Sequence, residues 1–194
     1  YNGCGDIEDA IITFNYFLEL AKESPSEYFV DIIYSLNILG LNHKERAEFE
    51  KALDYFEQAL KYCHSYLPPM SAQIAVIYSN LSLIYKDIGK YNAAEKNANE
   101  ALKIKKEIFG ESHLETAISL NNLAILSETK GNLIIAEELS RQAAIIGEVN
   151  RDSHKNEYLS FAINYARILF LNGKNSDSES LYYKVINSYE QNDN

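Results

Sequence analysis

Apolar residues in this chain recur in steps of three and four rather than alternating, and small residues are threaded among them. Between Ser112 and Gly131, Ile118, Leu120, Leu123 and Leu126 recur at spacings of two to three. Most of that segment's surface is therefore apolar, and a buried helix is predicted. After Gly131 come Ile135, Leu139, Ala143 and Ile146 in three- and four-residue steps, with Ala136 beside the first; this is an amphipathic helix. The punctuation agrees. Gly110 can take a left-handed conformation and close the preceding helix, Ser112 with Glu115 reads as a capping box, Gly131 ends the first helix, and Asn132 can cap the second. The unit is helix, tight turn, helix.

The same pattern predicts helices over about 6–22, 26–44, 48–64, 72–87, 92–108, 113–129, 133–148, 155–171 and 175–190. That makes four complete pairs preceded by a lone helix with the pattern of a second half. Ser24-Pro25-Ser26-Glu27 joins a capping box to a proline at the first helical position. Pro68-Pro69 interrupts the chain between the first complete pair and the second. Strand signals are missing, with no Asn-Gly or Asp-Gly turn flanked by alternating apolar residues.

A fixed ruler underlies these elements. Positions 10, 52, 94 and 136 are all Ala, and the next step of 42 is Ser178. Five residues ahead of these sites come Gly5, Ala47, Gly89, Gly131 and Gly173; seven after them come Phe17, Ala59, Ala101, Ala143 and Val185. Leu39, Leu81, Leu123 and Tyr165 keep the same step, and each precedes a small residue: Gly40, Ser82, Ala124, Ala166. A period held without insertion means one supersecondary unit stacked on copies of itself. Ala at the fixed site lets the partner helix approach, whereas Leu there would overpack the pair at a cost of roughly 1–3 kcal/mol. Phe14, Phe56 and Tyr182 are expected to wedge between successive pairs; Ala98 and Ser140 fill the same slot with less volume.

Composition narrows the function classes. The chain has 194 residues, 46% hydrophobic and 24% charged. No segment approaches the roughly 18 apolar residues of a membrane span. It has neither an initiator Met nor a basic-apolar leader, and is read as a fragment. A net charge of −10 argues against nucleic acid, whose binding rests on clustered Lys and Arg. Lys103, Lys105 and Lys106 are expected on a solvated face late in a helix. Cys4 and Cys63 fit two reduced thiols and a cytoplasmic setting. The sequon Asn80-Leu81-Ser82 lies inside a predicted helix and reads as accidental. His43, His64, His113 and His154 include no pair at a metal-binding helical spacing, and His113 and His154 occupy equivalent linkers where helices start. No phosphate loop or nucleophile motif is present, so neither an enzyme nor a cofactor is expected.

Taken together, these residues resemble the tetratricopeptide repeat. Leu39-Gly40, Ala47, Phe49, Ala52, Phe56 and Ala59 fill most of its consensus slots in one repeat. Leu81-Ser82, Tyr85, Gly89, Tyr91, Ala94 and Ala101 do so in the next, where Ala98 replaces the second aromatic. The usual unit is 34 residues. The 42-residue unit, with Asn121-Asn122-Leu123-Ala124, Ala136-Glu137 and Gly110-Glu111-Ser112-His113, is similar to the kinesin-light-chain type. The last repeat departs most, at Tyr165 and Ser178.

The resemblance implies an all-α fold, a right-handed α-solenoid of antiparallel helix pairs. It implies a single array over 1–194: the second helix of a truncated repeat at 1–23, then repeats at 24–66, 67–109, 110–151 and 152–194. It also implies a concave groove, lined by the first helices, that holds a peptide or helix from another protein. The groove-facing positions would be Asn80, Asn122 and Asn164, with Asn37 and Asn121 adjacent to the series, which Ile38 breaks. Side-chain amides offer donors and acceptors to an extended backbone; equally, they could bond a neighbouring repeat. Tyr34, Leu41, Val76, Leu83, Ile118, Ile125, Arg167 and Phe170 would line the groove, with Lys44 and Lys86 at its edge. That lining favours a protein or peptide ligand with apolar or aromatic anchors, and neither nucleic acid nor membrane.

Three functions remain open at this stage. A scaffold or adaptor that binds a linear motif leads. A peptide-sensing regulator is the second. A self-association module, giving a homo-oligomer through terminal helices that carry Ile11, Phe14, Leu181 and Ile186, is the third.

Overall fold

Every expected helix forms, and the largest departure is at the first, which begins at Gly3 rather than 6. The computed structural model describes residues 3–190, and side chains at 9 and 11–188. The side chains of Cys4, Gly5 and Ala10 lie outside that description. Among the described residues there are nine helices and no strand: α1 (Gly3–Ala21), α2 (Pro25–Glu45), α3 (Phe49–Tyr66), α4 (Ala72–Asp87), α5 (Tyr91–Phe109), α6 (Leu114–Thr129), α7 (Leu133–Val149), α8 (Lys155–Leu171) and α9 (Asn175–Glu190).

The turn inside each pair explains the spacing of the glycines. Ala47, Gly89, Gly131 and Gly173 all have positive φ, at 57°, 75°, 80° and 75°. At each, the next amide reaches back five residues, as Glu48 N–H does to the His43 carbonyl (2.9 Å) and Lys90 N–H to that of Tyr85 (2.7 Å). This is the Schellman closure, which needs a left-handed residue at that point. A Cβ built on any of the three glycines would meet nothing within 4 Å. Backbone angle, not crowding, therefore selects glycine there.

Close approach selects the other small residues. Ala52, Ala94 and Ala136 are fully buried. Ser178 is also buried, and its hydroxyl donates to the Ala166 carbonyl at 2.7 Å. The one departure from Ala thus carries its own hydrogen-bond partner. A Cβ on Gly40 would come within 2.7 Å of the Phe56 ring, so Phe56 is seated against the first helix of its own pair. Phe14 does reach the following pair, meeting Tyr34 edge-on at 6.3 Å.

Helix starts are less uniform than expected. The cap of α6 is His113 rather than Ser112: its Nδ1 accepts the Glu115 amide at 3.2 Å. Ser24, Asn132 and His154 hold the cap positions of α2, α7 and α8 without a side-chain cap bond. The basic run also divides. Lys103 is exposed, but Lys105 is only 5% exposed and pairs with Glu115 at 2.8 Å, and Lys106 pairs with Glu111 at 2.8 Å. Lys105 therefore corrects the expectation of a solvated face. Its position turns inward, where Cys63 sits one period earlier and Gly147 one later.

The chain divides into two compact units, Tyr1–Ile104 and Lys105–Asn194, with the division inside α5. In the first, α2 packs on α1 and α3, and α3 on α4, around Leu36, Leu39, Phe56, Ile74 and Ile84. In the second, α7 packs on α6 and α8, and α8 on α9. Gly147 lets α8 come close, since a Cβ there would lie 2.8 Å from the Phe161 ring and 3.2 Å from the Tyr158 Cα.

Candidate functional site

In each unit the first helices of successive pairs touch: α2 meets α4 in one and α6 meets α8 in the other. Side chains at steps of three and four along these helices share the face between them.

In the first unit, Asn80 Nδ2 donates to Asn37 Oδ1 at 2.8 Å. In the second, Asn164 Nδ2 donates to Asn121 Oδ1 at 3.0 Å. Both pairs join residues 43 apart, one more than the 42-residue ruler. One extra residue turns a helix by about 100°, so Asn121 rather than Asn122 meets Asn164. Asn122 is half-buried beside it. These bonds tie successive repeats together, which is the structural role that the sequence left open.

The bonds do not exhaust the amides. A carboxamide carries two N–H donors and an oxygen with two lone pairs; each of these two bonds uses one donor and one acceptor site. Asn37, Asn80 and Asn164 are half-buried, whereas Asn121 is only 7% exposed.

Around the first pair, Tyr34 (60% exposed) and Val76 (44%) stand one turn before the amides, and Leu83 is half-buried three residues after Asn80. Lys86 Nζ lies 3.8 Å from Asp87. Around the second pair, Ile125 is half-buried and Phe170 is 61% exposed. Arg167 forms an ion pair with Glu128. Of the three expected cations, Lys44, Lys86 and Arg167, the last two thus stand beside carboxylates, which weakens the pull on an anionic ligand. Asp87 and Glu128 were not anticipated. Each lies seven residues, two helical turns, beyond an amide (Asn80 and Asn121), and that spacing was available in the sequence.

Several polar groups away from these faces have structural partners. His43 is buried, sits 2.7 Å from Glu48 and stacks on Tyr55. Glu48 also meets Lys51 at 2.9 Å and Arg46 at 3.2 Å. The Lys51 bond first, then His43, holds the Glu48 carboxyl down at about 2. Burial pushes the Cys63 thiol up to about 11 and the Tyr158 phenol up to about 12, the latter aided by Glu148. Among the described residues, no group of three or more His, Cys, Asp or Glu could hold a metal ion, and no helix is long and apolar enough to cross a membrane.

The tetratricopeptide repeat family model matches residues 73–148. The fold is similar to that of BtubC (BKLC) from P. vanneervenii, at 21% identity and a TM-score of 0.89 over 97% of this chain and 76% of that one. It is also similar to the kinesin light chain TPR-like repeats of Podosopora anserina, at 18% identity and a TM-score of 0.78 over 99% and 92% of the two chains. Aspartyl phosphate phosphatase F from Bacillus subtilis shares the fold at 14% identity and a TM-score of 0.74, over 91% of this chain and 45% of that one. No curated protein matches the chain by sequence.

Proposed function

We propose that this chain, which carries tetratricopeptide repeats of the kinesin-light-chain-like type, is a protein–protein interaction scaffold that holds a linear peptide or helix on its first-helix faces. The observation that carries this reading is the repeated amide pair, Asn80 on Asn37 and Asn164 on Asn121, with unspent hydrogen-bonding capacity beside exposed apolar side chains. An extended main chain presents one donor and one acceptor per residue. Amides held in place by their neighbours can meet that main chain at little entropic cost. Tyr34, Val76 and Phe170 would take the ligand's apolar or aromatic side chains, from which most of the affinity comes. Charge supplies little, because Arg167 and Lys86 already face Glu128 and Asp87. A cytoplasmic setting accords with the free, buried Cys63 thiol.

The test is to select a phage-displayed linear peptide library on the purified chain, then titrate the enriched peptides against Asn80→Ala and Asn164→Ala variants. The expected result is enrichment of sequences with apolar or aromatic anchors, and affinity at least about tenfold weaker in the variants. Thermal midpoints should fall modestly, because each variant loses one hydrogen bond between repeats. Absence of enrichment, or stability that falls while affinity holds, would return the asparagines to a purely structural role.

A further inference from the structure

Equivalent positions of a repeat meet the same structural demand, so side chains peculiar to one copy answer to something besides the stack. Where the start of α2 lies beside the end of α3, four such residues gather: Pro25, Phe29, Tyr62 and Tyr66. One period later their positions hold Leu67, Ser71, Ile104 and Ile108, and two periods later Phe109, His113, Ile146 and Asn150. Neither tyrosine is thus a requirement of the repeat. In this copy three rings lie nearly parallel. Phe29 and Tyr66 stack with centroids 5.2 Å apart and planes at 15°, and Tyr62 and Tyr66 follow at 6.2 Å and 16°.

Beside these rings is an open cleft of about 340 Å³, lined by Pro25, Gln58, Lys61, Tyr62, Ser65 and Tyr66. Its apolar surface is ring and proline, and every polar group on it can donate: two phenols, a hydroxyl, an ammonium and a carboxamide. No carboxylate lines it. Among the described residues, the Tyr62 and Tyr66 hydroxyls and the Lys61 ammonium have no hydrogen-bond partner within the chain. The carboxylates of the adjoining cavity are engaged, Asp54 by Gln58 at 2.8 Å and Glu19 by Lys22. Gln58, Tyr62 and Tyr66 follow at four-residue steps along α3, a row of about 12 Å.

A lining of rings and donors suits a ligand that presents apolar rings and acceptors. An ordinary extended peptide carries an N–H at nearly every residue and would bring donors to donors. Proline has no N–H. In the polyproline II conformation its carbonyls are unpaired, and each residue advances about 3.1 Å, so roughly four residues span the row. A free anion is less well matched, because Lys61 is the single cation in the cleft and the chain carries a net charge of −10. We infer that this cleft is a docking site for a proline-rich segment of another protein. The proline rings lie on Tyr62 and Tyr66, the way aromatic-lined grooves take such segments, and the carbonyls accept from the phenols and Lys61. The site is additional to the amide pairs. It is built on a second helix, and Asn37 stands eight residues, about 12 Å, along α2 from Phe29.

The probe is a fluorescently labelled decaproline peptide, titrated with the purified chain and followed by anisotropy, with a Gly-Ser peptide of equal length as the control. Decaproline should bind saturably and the Gly-Ser peptide should not. A Tyr62→Ile, Tyr66→Ile double variant installs the residues that α5 carries as Ile104 and Ile108. It should bind decaproline at least about tenfold more weakly. Ser65→Glu alters an exposed position that is Glu107 one period later. It sets a carboxylate among the donors and leaves the rings in place, so it should weaken binding by a similar factor at an unchanged thermal midpoint. Asn80→Ala and Asn164→Ala should bind decaproline as the intact chain does, which separates this site from the first-helix faces. No saturable binding, equal binding of the Gly-Ser peptide, affinity kept in both the double variant and Ser65→Glu, or affinity lost in the asparagine variants instead would overturn the inference.

Discussion

At the scale of single residues, the ruler is set by two separate demands. Gly89, Gly131 and Gly173 answer a demand on φ, and Ala47 meets the same demand with a Cβ in place, at φ 57° and an exposed site. A left-handed L-residue costs roughly 1–2 kcal/mol, partly offset by glycine's greater freedom when unfolded. Ala47→Gly should therefore stabilise the chain by about 0.5–1 kcal/mol, read as a higher urea midpoint at unchanged slope. A lower midpoint would show that the turn does not need that angle. Glu48, the next residue, gives a pH signature. Its carboxyl is held below its ordinary value by Lys51 and His43. The folded form thus binds that proton less readily than the unfolded chain, and the stabilisation is complete above the ordinary carboxylate range. It should drain away as the pH falls from about 5 toward 2. Glu48→Gln should flatten that part of the stability profile in acid titrations followed by circular dichroism, and an unchanged profile would contradict the assignment.

At the scale of helices, the boundaries were legible because punctuation and periodicity agree at nearly every end. Gly131 and Asn132 bound α6 and α7 as read, and α4 spans the expected residues. Helix rotation was harder to read. The amide partners lie 43 rather than 42 residues apart, and one residue changes which side chain faces the neighbouring helix. Lys105 was misjudged for the same reason, since a lysine late in a helix looks solvated until the helix's inward face is known. Cap identity was also local. Ser112 has the expected cap chemistry, but the chain begins the helix one residue later and uses the His113 ring. The inward face itself is firmly fixed at Ala136, which is fully buried. Ala136→Leu should destabilise the stack by roughly 1–3 kcal/mol, measurable as a lower thermal midpoint. Unchanged melting would mean that the contact between α7 and its neighbours is misplaced.

At the scale of the whole molecule, the period made the fold readable, because a unit repeated without insertion stacks on copies of itself. The fine site was readable only in part. Asn37, Asn80, Asn121 and Asn164 were singled out, but that they bond one another depends on the approach of α2 to α4 and of α6 to α8. The carboxylates Asp87 and Glu128 became visible only with their cations beside them. Hydrogen–deuterium exchange of the chain, with and without a peptide enriched from the linear library, tests the central claim most directly. The account expects protection on α2, α4, α6 and α8 around the amide pairs, with little change on α3, α5, α7 and α9. Protection confined to the second helices, or none at a saturating concentration of a peptide that binds, would contradict it.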